Sequence, residues 1–332
     1  MHMMRDRAPD SSEVVLPAIV ESWYFVCRSR DLRRGRPVAW SLPGVPLVVY
    51  RGASGQAYAL AAHCAHMGTH LVHGDVVDER LRCPMHHWMH DGTYPVVERD
   101  GGVFVFVANE CGAPPLFPLP AWGPDAASWR VAIGRPVRIA TPWHACAMNG
   151  FDVVHFETVH QRELLEPATL RTIGDHGIEL SYRSRVKGRS RADRIMRWLA
   201  TDGVGVSIAC WGGNVFLVRS EAGSFVNHLM LCLTPTESEL IVTPLVAVPR
   251  TRVPGPDWLR SSLTAWLFMS FLGRDLQPLS GMRLRPEGAL DHEGPLATFV
   301  RWLGARPELN RYPTRATVRT CSSQPHCHSP AT

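Results

Sequence analysis

The chain has 332 residues, 45% of them hydrophobic, and carries 35 Lys and Arg against 30 Asp and Glu for a net charge of +5. This composition excludes a disordered or fibrous chain and supports one large or two ordinary domains. The weak, unblocked cationic excess points to no nucleic-acid partner, and with neither a bilayer-length apolar run nor a signal-like start no membrane span is expected and the location is cytoplasmic.

From Ser22 to Val107 the sequence reads as short strands: WYFVC at 23–27, PLVVY at 46–50, QAYALAA at 56–62 and VFVFV at 103–107. Turn residues punctuate them at Leu42-Pro43-Gly44, Gly52-Ala53-Ser54-Gly55, Asp91-Gly92 and Asp100-Gly101-Gly102, which predicts a small all-β unit. The proline-dense stretch CGAPPLFPLPAWGP at 111–124 can sustain neither a helix nor a central strand, so a domain boundary is placed near 120, giving units 1–120 and 121–332. Beyond it, Met148 to about Leu165 is helix-compatible, and strands are expected near 178–186, 204–210, 214–219, 225–233 and 239–247. That alternation predicts an antiparallel sheet flanked by helices, an α+β unit. A long helix is predicted after Pro256-Asp257, with Asp257 as its N-cap and Leu259, Leu263, Trp266, Leu267 and Phe271 at helical spacing. The Thr-, Ser- and Pro-rich tail from Tyr312, with Cys321, His326, Cys327 and His328, reads as loose chain.

Two constellations carry chemistry. Cys64-Ala65-His66 is followed, after 16 intervening residues, by Cys83-Pro84-Met85-His86, both in expected loops. Each loop offers one thiolate and one imidazole, the supply needed by a 2Fe-2S cluster with two cysteines on one iron and two histidines on the other. A structural zinc also takes Cys2His2, although zinc fingers pair Cys with Cys and His with His. CAHMG and CPMHHW resemble the two cluster-binding loops of Rieske domains, over about residues 20–110. The resemblance implies that Cys64, His66, Cys83 and His86 hold a 2Fe-2S Rieske cluster. Thr69 and Met85 stand where respiratory-complex Rieske proteins have a disulfide-forming pair, which implies the oxygenase or ferredoxin type. His63, His70, His73, His87 and His90 match no ligand position and read as surface or loop histidines.

In NGFDVVHFETVH, Asn149, Asp152 and His155 are spaced by three, so on one helix they share a face. His160 follows five residues later, about 140° away around an ideal helix, so both imidazoles reach one ion only if the helix ends, tightens or bulges near Glu157-Thr158. Two histidines and a carboxylate on one face of an iron leave positions open for O2 and substrate. Taken alone, the two histidines read more simply as ordinary side chains of an amphipathic segment.

Downstream of Rieske loops, however, Asn-x-x-Asp-x-x-His-x-x-x-x-His is similar to the mononuclear-iron motif of Rieske non-haem iron ring-hydroxylating oxygenases. The resemblance implies His155 and His160 as ligands of a mononuclear Fe(II), Asp152 as a bridge from His155 to the copy of His86 on a neighbouring subunit, and Asn149 near the iron. Asp275, in GRDLQPLSGM, resembles the family's third ligand, with Asp257 and Asp291 as fallbacks; Glu157 and Glu163 read as solvated. No Gly-x-Gly-x-x-Gly follows a strand, so electrons are expected from NAD(P)H through a separate reductase, with or without a ferredoxin. The length resembles the compact ketosteroid hydroxylase, O-demethylase and aminopyrrolnitrin oxygenase kinds, which implies a homotrimer without a second subunit type.

A segment that the family usually carries is missing between Gly92 and Thr93, which bears on subunit and reductase contacts. The expected activity is oxidation, foremost monooxygenation, of an apolar small molecule with O2. Leu164, Leu165, Ile208, Trp211, Phe216, Phe225 and Met230 are candidates for the pocket wall. The competing readings are an electron carrier and a zinc-stabilised ligand-binding protein.

Overall fold

The computed structural model describes residues 14–123, 128–223, 225–250, 254–290 and 293–310, without the side chains of 254–257. The tail residues Cys321, His326, Cys327 and His328 and the fallback ligand Asp291 lie outside the described residues.

The N-terminal unit is all β. Three 3-stranded antiparallel sheets are formed by Ser22–Arg28, Gly102–Val107 and Val96–Arg99, by Val38–Leu42, Val45–Arg51 and Ala57–Ala61, and by Asp75–Val77, Arg80–Arg82 and Met89–His90. The alternation in VFVFV has an unexpected meaning, because both of its faces are buried. Val103, Val105 and Val107 pack into the core of the β unit with Tyr24, Leu47 and Val49. Phe104 and Phe106 point the other way, with Trp23 and Phe25, against Val215, Met230, Leu245 and Ala247 of the C-terminal unit. A strand of period 2 thus divides small β-branched residues from aromatic ones rather than apolar from polar.

The second unit is built on a 9-stranded antiparallel sheet. Its path runs Trp129–Ile133, Leu240–Pro249, Phe225–Pro235, Val215–Ala222, Val204–Trp211, Gly177–Val186 and Arg162–Leu164, with Val137–Ile139 and Thr169–Ile173 paired off that path. Its central strands also have two dry faces, which explains the nearly continuous apolar run LMLCL at 229–233. Leu229, Leu231 and Leu233 face the helices, whereas Met230 and Cys232 face the N-terminal unit. The turn after Trp211 fixes the joint between the units. Gly212 has φ of +61°, and a Cβ there would lie 2.4 Å from Ser22 Oγ. Two residues on, buried Asn214 donates Nδ2 to the carbonyls of Trp23 at 2.9 Å and Leu233 at 3.3 Å. The chain later returns to the first unit, where Leu309 N–H donates to Ile19 O at 2.8 Å.

Six helices are described: α1 (Trp143–Asn149), α2 (Val153–Thr158), α3 (Arg191–Leu199), α4 (Pro254–Leu272), α5 (Leu276–Leu279) and α6 (Pro295–Gly304). The chain is therefore α+β, and all five expected strands of the second unit are present. Two helical expectations are corrected. Residues 148–165 are not one helix: α1 stops at Asn149, the Asp152 carboxylate caps α2, and the strand Arg162–Leu164 follows. Asn149, Asp152 and His155 consequently do not share a helix face. The long helix begins at Pro254, so Asp257 lies within it and is not its N-cap. Prolines are tolerated there because first-turn N–H groups have no helical acceptor.

His228, on Phe225–Pro235, is 5% exposed and meets the Trp129 ring edge-on at 4.5 Å. Burial, helped by the Arg219 charge, pushes its pKa down to about 4. The unfolded chain therefore binds more protons than the folded one between about pH 6.5 and pH 4, so stability falls as pH drops through that window, by up to about 3 kcal/mol. Urea denaturation across that range should show the slope, and His228→Leu should flatten it.

Candidate metal centres and cavity

The two Cys-His loops are built alike. Cys64 N–H donates to Thr69 O at 2.9 Å and Gly68 N–H to Cys64 O at 2.8 Å, matched in the second loop by Cys83 N–H to Trp88 O at 2.8 Å and His87 N–H to Cys83 O at 3.0 Å. The fifth residue of each loop is left-handed, Gly68 at φ +77° and His87 at φ +57°. Glycine adopts this conformation freely, whereas His87 does so at a cost.

Each loop turns two backbone N–H groups onto its sulfur, those of His66 and Met67 onto Cys64 and those of Met85 and His86 onto Cys83. The two thiols also share a hydrogen bond. Burial pushes the Cys64 thiol up. Burial also opposes ionisation of Cys83, but its N–H donors, with Cys64 and Thr69, outweigh burial and carry it below the ordinary thiol value. Both sulfurs are buried, while His66 and His86 are exposed with ring centroids 4.7 Å apart, and Trp88 stacks on His66 at 4.5 Å. Two inward sulfurs supplied with N–H donors and two outward imidazoles fit a mixed-ligand diiron cluster. Of the other histidines, His63 and His70 meet edge-on at 5.1 Å.

His155, His160 and Asp275 converge in the second unit. Asp275 Oδ1 accepts from His155 Nε2 at 2.8 Å and from His160 Nε2 at 2.9 Å, and the two nitrogens lie 3.1 Å apart. The distortion expected between the histidines is present: Val159 N–H reaches His155 O at 2.9 Å, and His160 N–H reaches the same oxygen at 3.4 Å, a five-residue closure. Gln161, at φ +53°, then turns the chain out of the helix. Asp275 follows α4 through tight turns, with its N–H on Leu272 O at 3.0 Å, and its carboxylate makes no capping bond to α5.

Burial depresses the His160 pKa, whereas Asp275, although burial raises it, is held below the usual carboxylate range by the two imidazoles. A carboxylate with two imidazoles is a suitable donor set for a divalent ion. The spacing fits too: donors about 2.1 Å from an ion are about 3.0 Å apart on an octahedral face and about 3.4 Å apart in a tetrahedron. The observed separations of 2.8 to 3.1 Å are compatible with three donors on one face of an octahedral ion.

Residues 22–101 match the family model of the Rieske [2Fe-2S] domain. Over 85 residues the chain is 35% identical to aminopyrrolnitrin oxygenase of Pseudomonas fluorescens, covering 26% of this chain and 23% of that one. Over 187 residues it is 27% identical to cholesterol 7-desaturase of Bombyx mori, covering 48% and 41%. The chain thus spans less than half the length of these curated relatives. The fold matches the crystal structure of dicamba monooxygenase bound to dicamba with a TM-score of 0.60 at 16% identity, over 87% of this chain and 98% of the other. Residues 22–101 thus form a Rieske [2Fe-2S] domain, and the fold of the chain is that of the dicamba monooxygenase structure.

A cavity of about 380 Å³ lies between the sheet and α4, with His160 and Asp275 in its wall. The lining is mainly aliphatic and aromatic, with Asn149, Tyr182, Ser184, Asn227 and Thr264 among its few polar groups. Ile208, Phe216 and Phe225 line it as expected from the sequence. Leu164, Leu165, Trp211 and Met230 do not, because strand alternation turns Trp211 and Met230 to the opposite sheet face and Leu165 is exposed. Asn149 ends α1 at the cavity wall. Asp152 uses Oδ1 to accept from Val154 and His155 N–H, both at 3.1 Å, and does not bond the His155 ring within the chain. Glu157 and Glu163 are exposed.

Sequence reasoning missed several supports. Phe271 stacks on the His160 ring at 3.5 Å, and Arg274 Nη1 donates to His160 O at 3.1 Å. The helical spacing of Phe271 was legible; its contact with a residue more than a hundred positions earlier was not. His155→Ala and Asp275→Ala should each lower Fe(II) affinity at the triad by more than about 100-fold while the Cys-His loops keep their cluster. Iron analysis beside EPR of the reduced cluster measures both.

Proposed function

We propose that the chain is the terminal component of an oxygenase that uses O2 and externally supplied electrons to oxidise an apolar small molecule, foremost by monooxygenation. The observation that carries this reading is a two-histidine, one-carboxylate triangle with octahedral-face spacing in the wall of an apolar cavity, in a chain that also bears Rieske loops. In the proposal Cys64, His66, Cys83 and His86 hold the 2Fe-2S cluster, and His155, His160 and Asp275 hold a mononuclear Fe(II). When bound, these two centres supply electron transfer and O2 activation.

The chain's own residues do the rest. The aliphatic walls take up an apolar substrate and exclude water, and Phe216, Ile208 and Leu229 hold it against the sheet while α4 closes the other side. Asn149 places an amide in the same wall, near the triad. Overall balance, R–H + O2 + two electrons + two protons → R–OH + H2O, requires a reductant, assigned to NAD(P)H acting through a separate reductase, with or without a ferredoxin. The exposed imidazoles of His66 and His86 suit delivery of those electrons at the surface.

The same exposure supports a homotrimer in which cluster and triad meet between copies. Met67 and Met85 beside the cluster loops and Val154 beside Asp152 are exposed apolar side chains. Asp152 Oδ2 has no bond among the described residues and is free to accept from the copy of His86 on a neighbour. A cytoplasmic location completes the proposal: no described helix is long and apolar enough to cross a membrane, and no described cysteine is paired in a disulfide.

Anaerobically prepared protein should contain three irons per chain; two would favour an electron carrier instead. Asp152→Ala should keep all of the iron yet slow oxidation of the reduced cluster by O2, in the presence of a bound apolar substrate, by at least about tenfold. Stopped-flow absorbance of the cluster reads that rate, and a wild-type rate in the variant would remove Asp152 from the electron path.

A further inference from the structure

We infer that Asp193 is a positioning residue for the metal triad, acting through the Arg162 and Arg274 side chains that flank its ligands. The inference rests on reading His155, His160 and Asp275 as a metal centre.

The triad has a mechanical difficulty. His160 and Asp275 lie on segments far apart in sequence, and each is buried. His160 Nδ1, the atom through which a ligating histidine is commonly oriented, has no hydrogen-bond partner among the described residues. The ring is held instead by stacking on Phe271, and its backbone by Arg274.

Arg274 stands one residue before Asp275 and grips three groups. Its Nη1 donates to His160 O at 3.1 Å, and its Nη2 donates to Ser190 Oγ at 3.0 Å and to the Asp193 carboxylate. Arg162, two residues after His160, lies on the other side, with Nη2 3.8 Å from Asp193 Oδ1. A single carboxylate, 2% exposed, therefore faces one guanidinium from each ligand-bearing segment. Removing its charge leaves two largely buried cations facing each other without a counter-ion, and their separation would pull His160 away from Asp275.

Asp193 is itself fixed. It forms a reciprocal cap with Ser190 at the start of α3, Ser190 N–H donating to Oδ2 at 3.1 Å and Asp193 N–H donating to Ser190 Oγ at 3.1 Å. Helix α3 also contributes Met196, Trp198 and Leu199 to the cavity wall. The same carboxylate thus ties the metal ligands to the helix that borders the substrate space.

Capping alone would explain the geometry around Ser190, so the test must separate capping from positioning. Asp193→Asn keeps an oxygen able to accept from Ser190 N–H but removes the charge. Arg274→Gln leaves the cap intact and breaks the link to the ligands, and Arg274→Lys keeps the charge without the fork. Full-length protein is treated with chelator to empty the triad and titrated anaerobically with Fe(II). Loading is read from the high-spin EPR signal of the nitric oxide adduct, with the signal of the reduced Rieske cluster as the control for folding.

Asp193→Asn and Arg274→Gln are expected to lower Fe(II) affinity by about 10- to 100-fold with the cluster signal unchanged, and Arg274→Lys to fall in between. Affinities within about twofold of wild type in both Asp193→Asn and Arg274→Gln would overturn the inference while leaving the triad itself standing. Wild-type protein that takes no Fe(II) at the triad would overturn the metal reading and this inference together. Should Asp193→Asn fail to retain its cluster, the comparison of Arg274→Gln with Arg274→Lys decides.

Discussion

The structure turns on the carboxylate of Asp275 lying between two imidazoles. One oxygen accepts from both Nε2 atoms at 2.8 and 2.9 Å, in a place where neither ring is appreciably wet. Burial alone would drive Asp275 toward its neutral form and His160 away from its charged form. The hydrogen bonds win for the carboxylate, which stays ionised, and burial wins for His160, which stays neutral. An ionised carboxylate and a neutral imidazole are the forms in which such groups can bind a divalent cation. A buried arrangement of this kind survives only if the surrounding chain cannot relax, and much of the second unit provides that rigidity.

The sheet supplies it by being dry on both faces. One face carries Leu229, Leu231, Leu233 and Val246 toward the helices and the cavity; the other packs Met230, Cys232, Leu245 and Ala247 against Trp23, Phe25, Phe104 and Phe106 of the Rieske unit. The two units therefore share a packed interior instead of meeting through a polar seam. Gly212 and Asn214 pin the joint at one turn, the glycine because no side chain fits beside Ser22 and the asparagine because its amide reaches carbonyls in both units.

The two candidate metal regions are assembled by different means. The Cys-His loops are local: each is closed by its own backbone hydrogen bonds and brings its own N–H donors to its sulfur, so each loop carries its geometry within a few residues. The triad is non-local. Its histidines sit on one short helix and its exit, its aspartate follows another helix, and between them stands a salt-bridged cluster of Arg162, Asp193 and Arg274 drawn from three segments.

That difference marks what could be read from the amino acids. The Cys-His loops, the strands of both units and the irregular exit of α2 between His155 and His160 followed from spacing and turn residues, since each depends on neighbours in the chain, whereas Asp275 was picked out by resemblance alone. The break after Asn149, the start of α4 at Pro254, the face toward which Trp211 and Met230 point, and the partnership of Asp193 with both arginines did not. A cap or a strand face is settled by what packs against it, and Ser190-x-x-Asp193 reads as a helix start whether or not a guanidinium arrives from residue 274. Sequence by itself determined which groups could bind metal, because ligand chemistry belongs to the side chain. Only the tertiary structure decided that three of them meet within hydrogen-bond distance and are held there, because distance between remote segments is fixed by packing and buried charge, neither of which is written in local order.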